Sequence, residues 1–189
     1  MVKSVVSNSM VAHLWANQSQ ACARSHNGNF SFDGPMLFSY STMIGYMATA
    51  VDGGRVPLIT DCRHSVTTQG RHINPAHRAT SYKAFVVPSL RALNHEVNLA
   101  SLVKRYDEAK AKFLRAINNE DADFHSWLND CLAEARRYAE SFGLEAPKRD
   151  VGRDMSEIRA DHERRRAKRE TPAYLAKKAR SARNSRKGD

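Results

Sequence analysis

Long apolar runs and cysteines are scarce in this chain, and acidic side chains are scarce in its first 80 residues; each shortage excludes something. No apolar run among the 189 residues approaches the roughly 20 needed to span a bilayer. Val2 to Val11 is too interrupted by Ser and Asn to be the apolar core of a secretion signal. The three cysteines, Cys22, Cys62 and Cys131, are odd in number and far apart, a poor disulfide framework that fits a reducing compartment. They read as small buried apolar side chains. The expectation is a soluble, cytoplasmic protein.

Acids are scarcest in the first 80 residues, where Asp33, Asp52 and Asp61 are the only ones and two of them sit beside turn glycines. Two-metal nuclease chemistry needs several converging carboxylates, so it is disfavoured. The chain also lacks a Gly-x-Ser-x-Gly elbow and a phosphate-cradling Gly-rich loop. No cofactor is implied.

What is abundant is positive charge, and it is unevenly placed. The formal net charge is +10; residues 1–147 hold 15 basic and 13 acidic side chains, whereas residues 148–189 hold 15 and 7. The last segment has few large apolar residues, namely Val151, Met155, Ile158, Tyr174 and Leu175, so it should not fold alone.

The hydropathy pattern divides the chain at 1–96, 97–147 and 148–189. The first part begins with Asn8 or Ser9 as N-cap of a helix carrying Met10, Val11, Leu14, Trp15 and Ala21, expected to end near Asn27-Gly28. Phe30 and Phe32 alternate, Asp33-Gly34 signals a hairpin, and Met36–Tyr40 is the return strand. Met43–Val51 is ambiguous between helix and strand, Asp52-Gly53-Gly54 is a turn, and Val56–Asp61 reads as a strand. A polar helix should start near Thr67 or after Asn74-Pro75. From Val97 the period becomes helical through Leu99, Leu102, Tyr106, Phe113 and Ile117. After a break at Asn118–Asp121, Phe124, Trp127, Leu128, Leu132, Ala135, Tyr138 and Phe142 keep the same period up to Gly143. Trp15, Trp127, Tyr138 and Phe142 are expected in the core. The fold class is α+β: a small antiparallel sheet domain with flanking helices, then an antiparallel helical hairpin packed on it, then a basic, helix-competent tail that is disordered or becomes ordered on a partner.

Three groups of residues have chemical potential. Cys62, His64, His72 and His77 lie within sixteen residues and include a His-x4-His pair, which zinc tolerates, although zinc sites use better-defined spacings. Ser65, Thr68 and His72 invite a nucleophile and base, since imidazole can activate a hydroxyl within hydrogen-bond reach, yet Ser and Thr at a helix start are usually caps. The strongest group is the tail: Arg164, Arg165, Arg166, Lys168, Arg169, Lys177, Lys178, Arg180, Arg183, Arg186 and Lys187 are phosphate-neutralising groups, with Tyr174 available to stack on a base. Thr171-Pro172 supplies a cap for a second tail helix, and Asp161 with Arg165 a favourable pair.

The strings His13-Leu14-Trp15-Ala16-Asn17-Gln18, Asn29–Gly34 with Leu37-Phe38-Ser39-Tyr40, and Ser65–Ile73, taken in order over about residues 9–80, resemble a family of bacteriophage proteins with no established activity. Phe38 stands where that family more usually has Tyr, and His64 where Tyr is expected before Ser65. The resemblance implies a viral protein in the host cytoplasm, concerned with host takeover or with genome or RNA handling. With the tail, it leads to a nucleic-acid-binding or ribonucleoprotein-binding protein, RNA slightly favoured over DNA, with no membrane partner. The alternatives are an inhibitor that binds a host protein or defence complex, and a small metal-free hydrolase or transferase.

Overall fold

The computed structural model describes residues 4–90, 94–116 and 121–185, with the backbone alone for 121, 122 and 179–185. The chain is α+β, with a seven-stranded, mostly antiparallel sheet in sequential order from β1 to β7. It divides into two compact units, one of Met1–Lys104 with Leu132–Pro147 and one of Arg105–Cys131 with Lys148–Asp189. This grouping differs from the three segments read off the sequence, because the two long hairpin helices each contribute to both units.

In the first unit, β1 (Val5–Val6) pairs in parallel with β2 (Cys22–Ser25), and β3 (Phe30–Asp33), β4 (Met36–Ser39), β5 (Thr42–Thr49) and β6 (Arg55–Thr60) follow as antiparallel neighbours. A final strand, β7 (Phe85–Val87), runs parallel to β6. The hairpin at Asp33-Gly34 and the turn at Asp52–Gly54 are where the sequence places them. The ambiguous stretch is a strand: Ile44 and Met47 bury on one face and Ala48 on the other, in a register that shifts between Leu37 and Phe38.

Helix α1 (Asn8–Asn17) covers one face of this sheet, burying Val11, Ala12 and Trp15 against Ala23, Phe30, Phe32, Leu37 and Ile44. Each such large apolar side chain contributes about 1.5–3 kcal/mol by leaving water. The Trp15 indole Nε1–H donates to the Pro35 carbonyl at 2.9 Å, and a Cβ on Gly45 would stand 3.1 Å from the indole, so glycine is what lets this ring lie on the strand. The helix stops at Asn17, ten residues short of the expected end. Its N-cap is Ser7, whose side chain accepts from the Met10 amide. At its end Gln18 turns left-handed (φ 47°) and its side-chain amide donates to the Trp15 and Gly34 carbonyls. Cys22–Ser25 is thereby released to pair with β3.

The polar helical run is continuous from Val66 to Ala79: α2 (Val66–Thr68), a π-turn (Gln69–Ile73) and α3 (Asn74–Ala79). Its N-cap is Ser65 rather than a threonine, accepting from the Thr68 amide at 3.2 Å. Pro75 has no amide to offer the preceding turn, and the Arg71 carbonyl instead accepts from the Asn8 side chain of α1 at 3.1 Å.

The first half of α4 (His95–Arg115) and the last half of α5 (Asp121–Ser141) complete this unit, with Leu102, Ala135 and Tyr138 packed on Ala48, Leu58, Phe85 and Val87. Asn98, fully buried, donates to the Ser89 carbonyl and the Tyr138 hydroxyl and accepts from the Ser89 amide. Gly143 ends the helix with φ 64°, as its position beyond the last apolar residue predicts.

The second unit joins the remaining halves of α4 and α5 to α6 (Val151–Glu170) and α7 (Pro172–Ser185). Tyr106, Phe113 and Leu128 are buried here, and so are Val151, Met155 and Ile158 of α6. Two core expectations are corrected. Trp127 is 46% exposed at the edge of its helix stripe, with the Lys112 ammonium 4.8 Å from its ring centroid. Cys22 and Cys62 are exposed and Cys131 is half-buried, because β2 turns Cys22 to the face opposite α1 and Cys62 lies past the end of β6.

Candidate nucleic-acid interface

The first half of α6 is held by charge as well as by its narrow apolar stripe. Asp150 caps it by accepting from the Arg153 amide at 3.1 Å. Asp154 accepts from the Tyr106 hydroxyl and, at 2.9 Å, from Lys110, which also reaches Glu157 at 2.6 Å. Arg149 forks onto both Asp107 oxygens at 3.0 Å, and the His162 ring donates to the Phe113 carbonyl at 2.9 Å. Burial acts to raise the Asp154 pKa, but the hydrogen bonds from Tyr106 and Lys110, with the charges of Lys110 and Arg149, outweigh it and hold the carboxyl below its ordinary 3.8. Burial and the Asp154 contact push the Tyr106 phenol up.

Beyond Ile158 the helix carries no buried apolar residue and becomes a cationic rod. At about 100° per residue, Arg164, Arg165, Lys168 and Arg169 fall within an arc of about 140°, with Arg166 about 60° further round. All five are exposed. Asp161 lies inside the arc, 2.7 Å from Arg165 and 3.4 Å from Arg164, while Arg166 pairs with Glu170 at 3.2 Å outside it. Thr171 then caps α7, accepting from the Tyr174 amide at 3.4 Å and donating to the Lys168 carbonyl at 2.7 Å. Helix α7 has no acidic residue; Lys177 and Lys178 are exposed, Tyr174 is 40% exposed and Leu175 is 54% exposed. Arg180 and Arg183 lie on its backbone, whereas Arg186 and Lys187 are outside the described residues.

The other candidates are not brought together. Ser65 and Thr68 bond to one another as a helix start, with Ser65 Oγ donating to Thr68 Oγ1 at 3.2 Å. His72 turns away from both: its Nδ1 meets the Ser39 hydroxyl at 2.7 Å and its ring stacks on Phe30 at 4.7 Å. Both members of this Ser–His pair are 3% exposed, so it ties the π-turn to β4 and is closed to a substrate. Burial, then the charge of Arg71, lowers the His72 pKa below 6.5. Cys62 is exposed, its amide donating to Thr60 Oγ1, and His77 lies parallel to Tyr82. Among the described residues no three metal-ligating side chains share a site.

No local signal in the sequence points to Ser39 as the partner of His72, since the two are 33 residues apart. A second basic region was also missed, although its signal is plain: between Asp61 and Glu96 the chain has no acid at all but carries Arg63, Arg71, Arg78, Lys83 and Arg91. Among the described residues no helix is long and apolar enough to cross a membrane. No protein-family model, curated protein or solved structure matches the chain.

Proposed function

We propose that this protein binds nucleic acid through the cationic second half of α6 and through α7. The observation that carries the reading is an α6 anchored at one end by Val151, Met155, Ile158 and Asp154 and presenting Arg164, Arg165, Lys168 and Arg169 on one solvent-facing arc at the other. A rod held this way needs no ordering of its first half on binding, and its guanidinium forks suit phosphate oxygens better than point charges do. RNA is the favoured partner, since arginine planes and Tyr174 stack on unpaired bases more readily than they read a duplex. Action in a phage-infected host cytoplasm, in host takeover or in genome or RNA handling, is the part of the proposal that rests on the resemblance of residues 9–80.

The test is binding of the full chain to single-stranded RNA, single-stranded DNA and duplex DNA, beside a variant with Arg164, Arg165, Lys168 and Arg169 all changed to Gln. A cut at residue 147 is avoided, because it would remove three buried side chains from the second unit. Salt-sensitive binding that the fourfold variant loses is the expected result. Wild-type protein that binds none of the three would overturn the reading and direct attention to a host protein target.

A further inference from the structure

The acid-free stretch between Asp61 and Glu96 contains an unusual turn. After α3 the Ser81 and Tyr82 amides bond back to the Arg78 and His77 carbonyls, the paired bonds of a Schellman cap. The left-handed position such a cap requires is commonly glycine, yet here Ser81 (φ 51°) and Tyr82 (φ 57°) are both left-handed. Two successive non-glycine residues in that region are costly, and strain of this kind collects at working sites. Its effect here is to hold Tyr82 out into solvent, 72% exposed, with its ring within 9° of parallel to His77 and the centroids 6.4 Å apart.

The surroundings match one class of ligand. A groove of about 370 Å³ is lined by Asn74, His77, Arg78 and Tyr82. Arg63, Arg71, Arg78 and Lys83 are all exposed, and no carboxylate lies on this stretch of chain. Burial lowers the His77 pKa, which favours a neutral ring. Asn74 carries an amide, its oxygen already accepting from Gln69 at 3.1 Å and its nitrogen a donor suited to a base edge.

Resting on the nucleic-acid reading above, we infer that this groove is a second contact, one that takes an unpaired nucleobase on the open face of Tyr82 with a neighbouring phosphate on Arg78. A stacked paired base offers no free face to such a ring, so the contact discriminates single strands from duplex. An acidic peptide would satisfy Arg78 and Lys83 but would gain little from a parallel Tyr–His pair.

The experiment titrates the full chain against a fluorescent 12-nucleotide oligouridylate and a 12-base-pair duplex, comparing wild type, Tyr82→Ala, Tyr82→Phe, Arg78→Gln and the fourfold α6 variant. Tyr82→Ala should weaken oligouridylate binding about 5- to 150-fold and leave duplex binding within twofold. Tyr82→Phe should restore single-strand binding, because the ring and not the hydroxyl does the stacking. Arg78→Gln should weaken it and reduce its salt dependence. The α6 variant should weaken both ligands. If wild type binds oligouridylate and Tyr82→Ala binds it equally well, this inference fails while the α6 reading stands. Equal losses on single strand and duplex, or a loss tracking a lowered melting temperature, would also overturn it. If wild type binds neither ligand, both readings fail.

Discussion

Changing one arginine at a time on α6 separates a phosphate-binding face from a merely charged helix. Four cations within the arc make about four phosphate contacts, for which the slope of log affinity against log salt is about −3.6 on a duplex and −2.8 on a single strand. Raising salt from 50 to 200 mM should then weaken duplex binding about 150-fold and single-strand binding about 50-fold, before any contribution from α7. Arg165→Gln or Arg169→Gln removes one contact, so the slope should become shallower by about 0.7–0.9. Arg166→Gln is the control: each of the two residues has one acidic partner, Asp161 for Arg165 and Glu170 for Arg166, and Arg166 is the more exposed, 83% against 43%, but it lies outside the arc. Its slope should stay within about 0.3 of wild type. Fluorescence anisotropy at five or more salt concentrations, with each variant's melting temperature checked, measures this directly. Equal slopes for Arg165→Gln and Arg166→Gln would refute the geometric argument, since undirected attraction to net charge cannot tell the two apart.

The other predictions concern contacts inside each unit taken by itself. Asp154→Asn, at a carboxylate 14% exposed, should destabilise the second unit by about 2 kcal/mol by weakening the hydrogen bonds from Tyr106 and Lys110; Trp127 fluorescence in denaturant reads it, and Trp15 serves as the internal control in the first unit. Because the folded pKa of Asp154 is depressed, its contribution is complete above the ordinary 3.8 and is lost as pH falls through the lower folded value, so the asparagine variant should have a flatter acid limb. Ser81→Gly should stabilise the first unit by about 1 kcal/mol by relieving a left-handed serine, and an unchanged or lower melting temperature would show that the turn stores no strain. His72→Ala should cost about 3 kcal/mol, through the orphaned Ser39 hydroxyl and the space left on Phe30, in contrast to a catalytic histidine, whose removal spares stability. Its pKa is lowered by burial, so the stability it supplies is full above 6.5 and erodes as pH falls through the folded value; this erosion should be smaller in the alanine variant.

The elements legible in the sequence are those whose cause is local. Phe30 to Ser39 alternates around an Asp-Gly turn, and α4 and α5 carry long 3.6-residue stripes, so pattern and structure coincide there. What the pattern missed has distant causes. Helix α1 stops where Gln18 finds the Gly34 carbonyl 16 residues on, and without that contact the apolar spacing runs on to Ala21. β5 is ambiguous by composition, and its strand form depends on β4 and β6 lying to either side. Trp127 has core spacing, but the stripe has only so much partner surface, and Phe124 and Leu128 take it. The same limit governs the candidate sites. The letters Ser65, Thr68 and His72 contain a nucleophile and a base, yet the π-turn carries His72 into the core to meet Ser39 at the end of β4. The cationic tail was visible as charge, but its usable geometry depends on Tyr106 and Lys110 holding Asp154 from 48 and 44 residues away. With α6 fixed at that end, the spacing of Arg164, Arg165, Lys168 and Arg169 becomes a directed face, and Asp161, ion-paired with two of the four, becomes the group an arriving phosphate must displace.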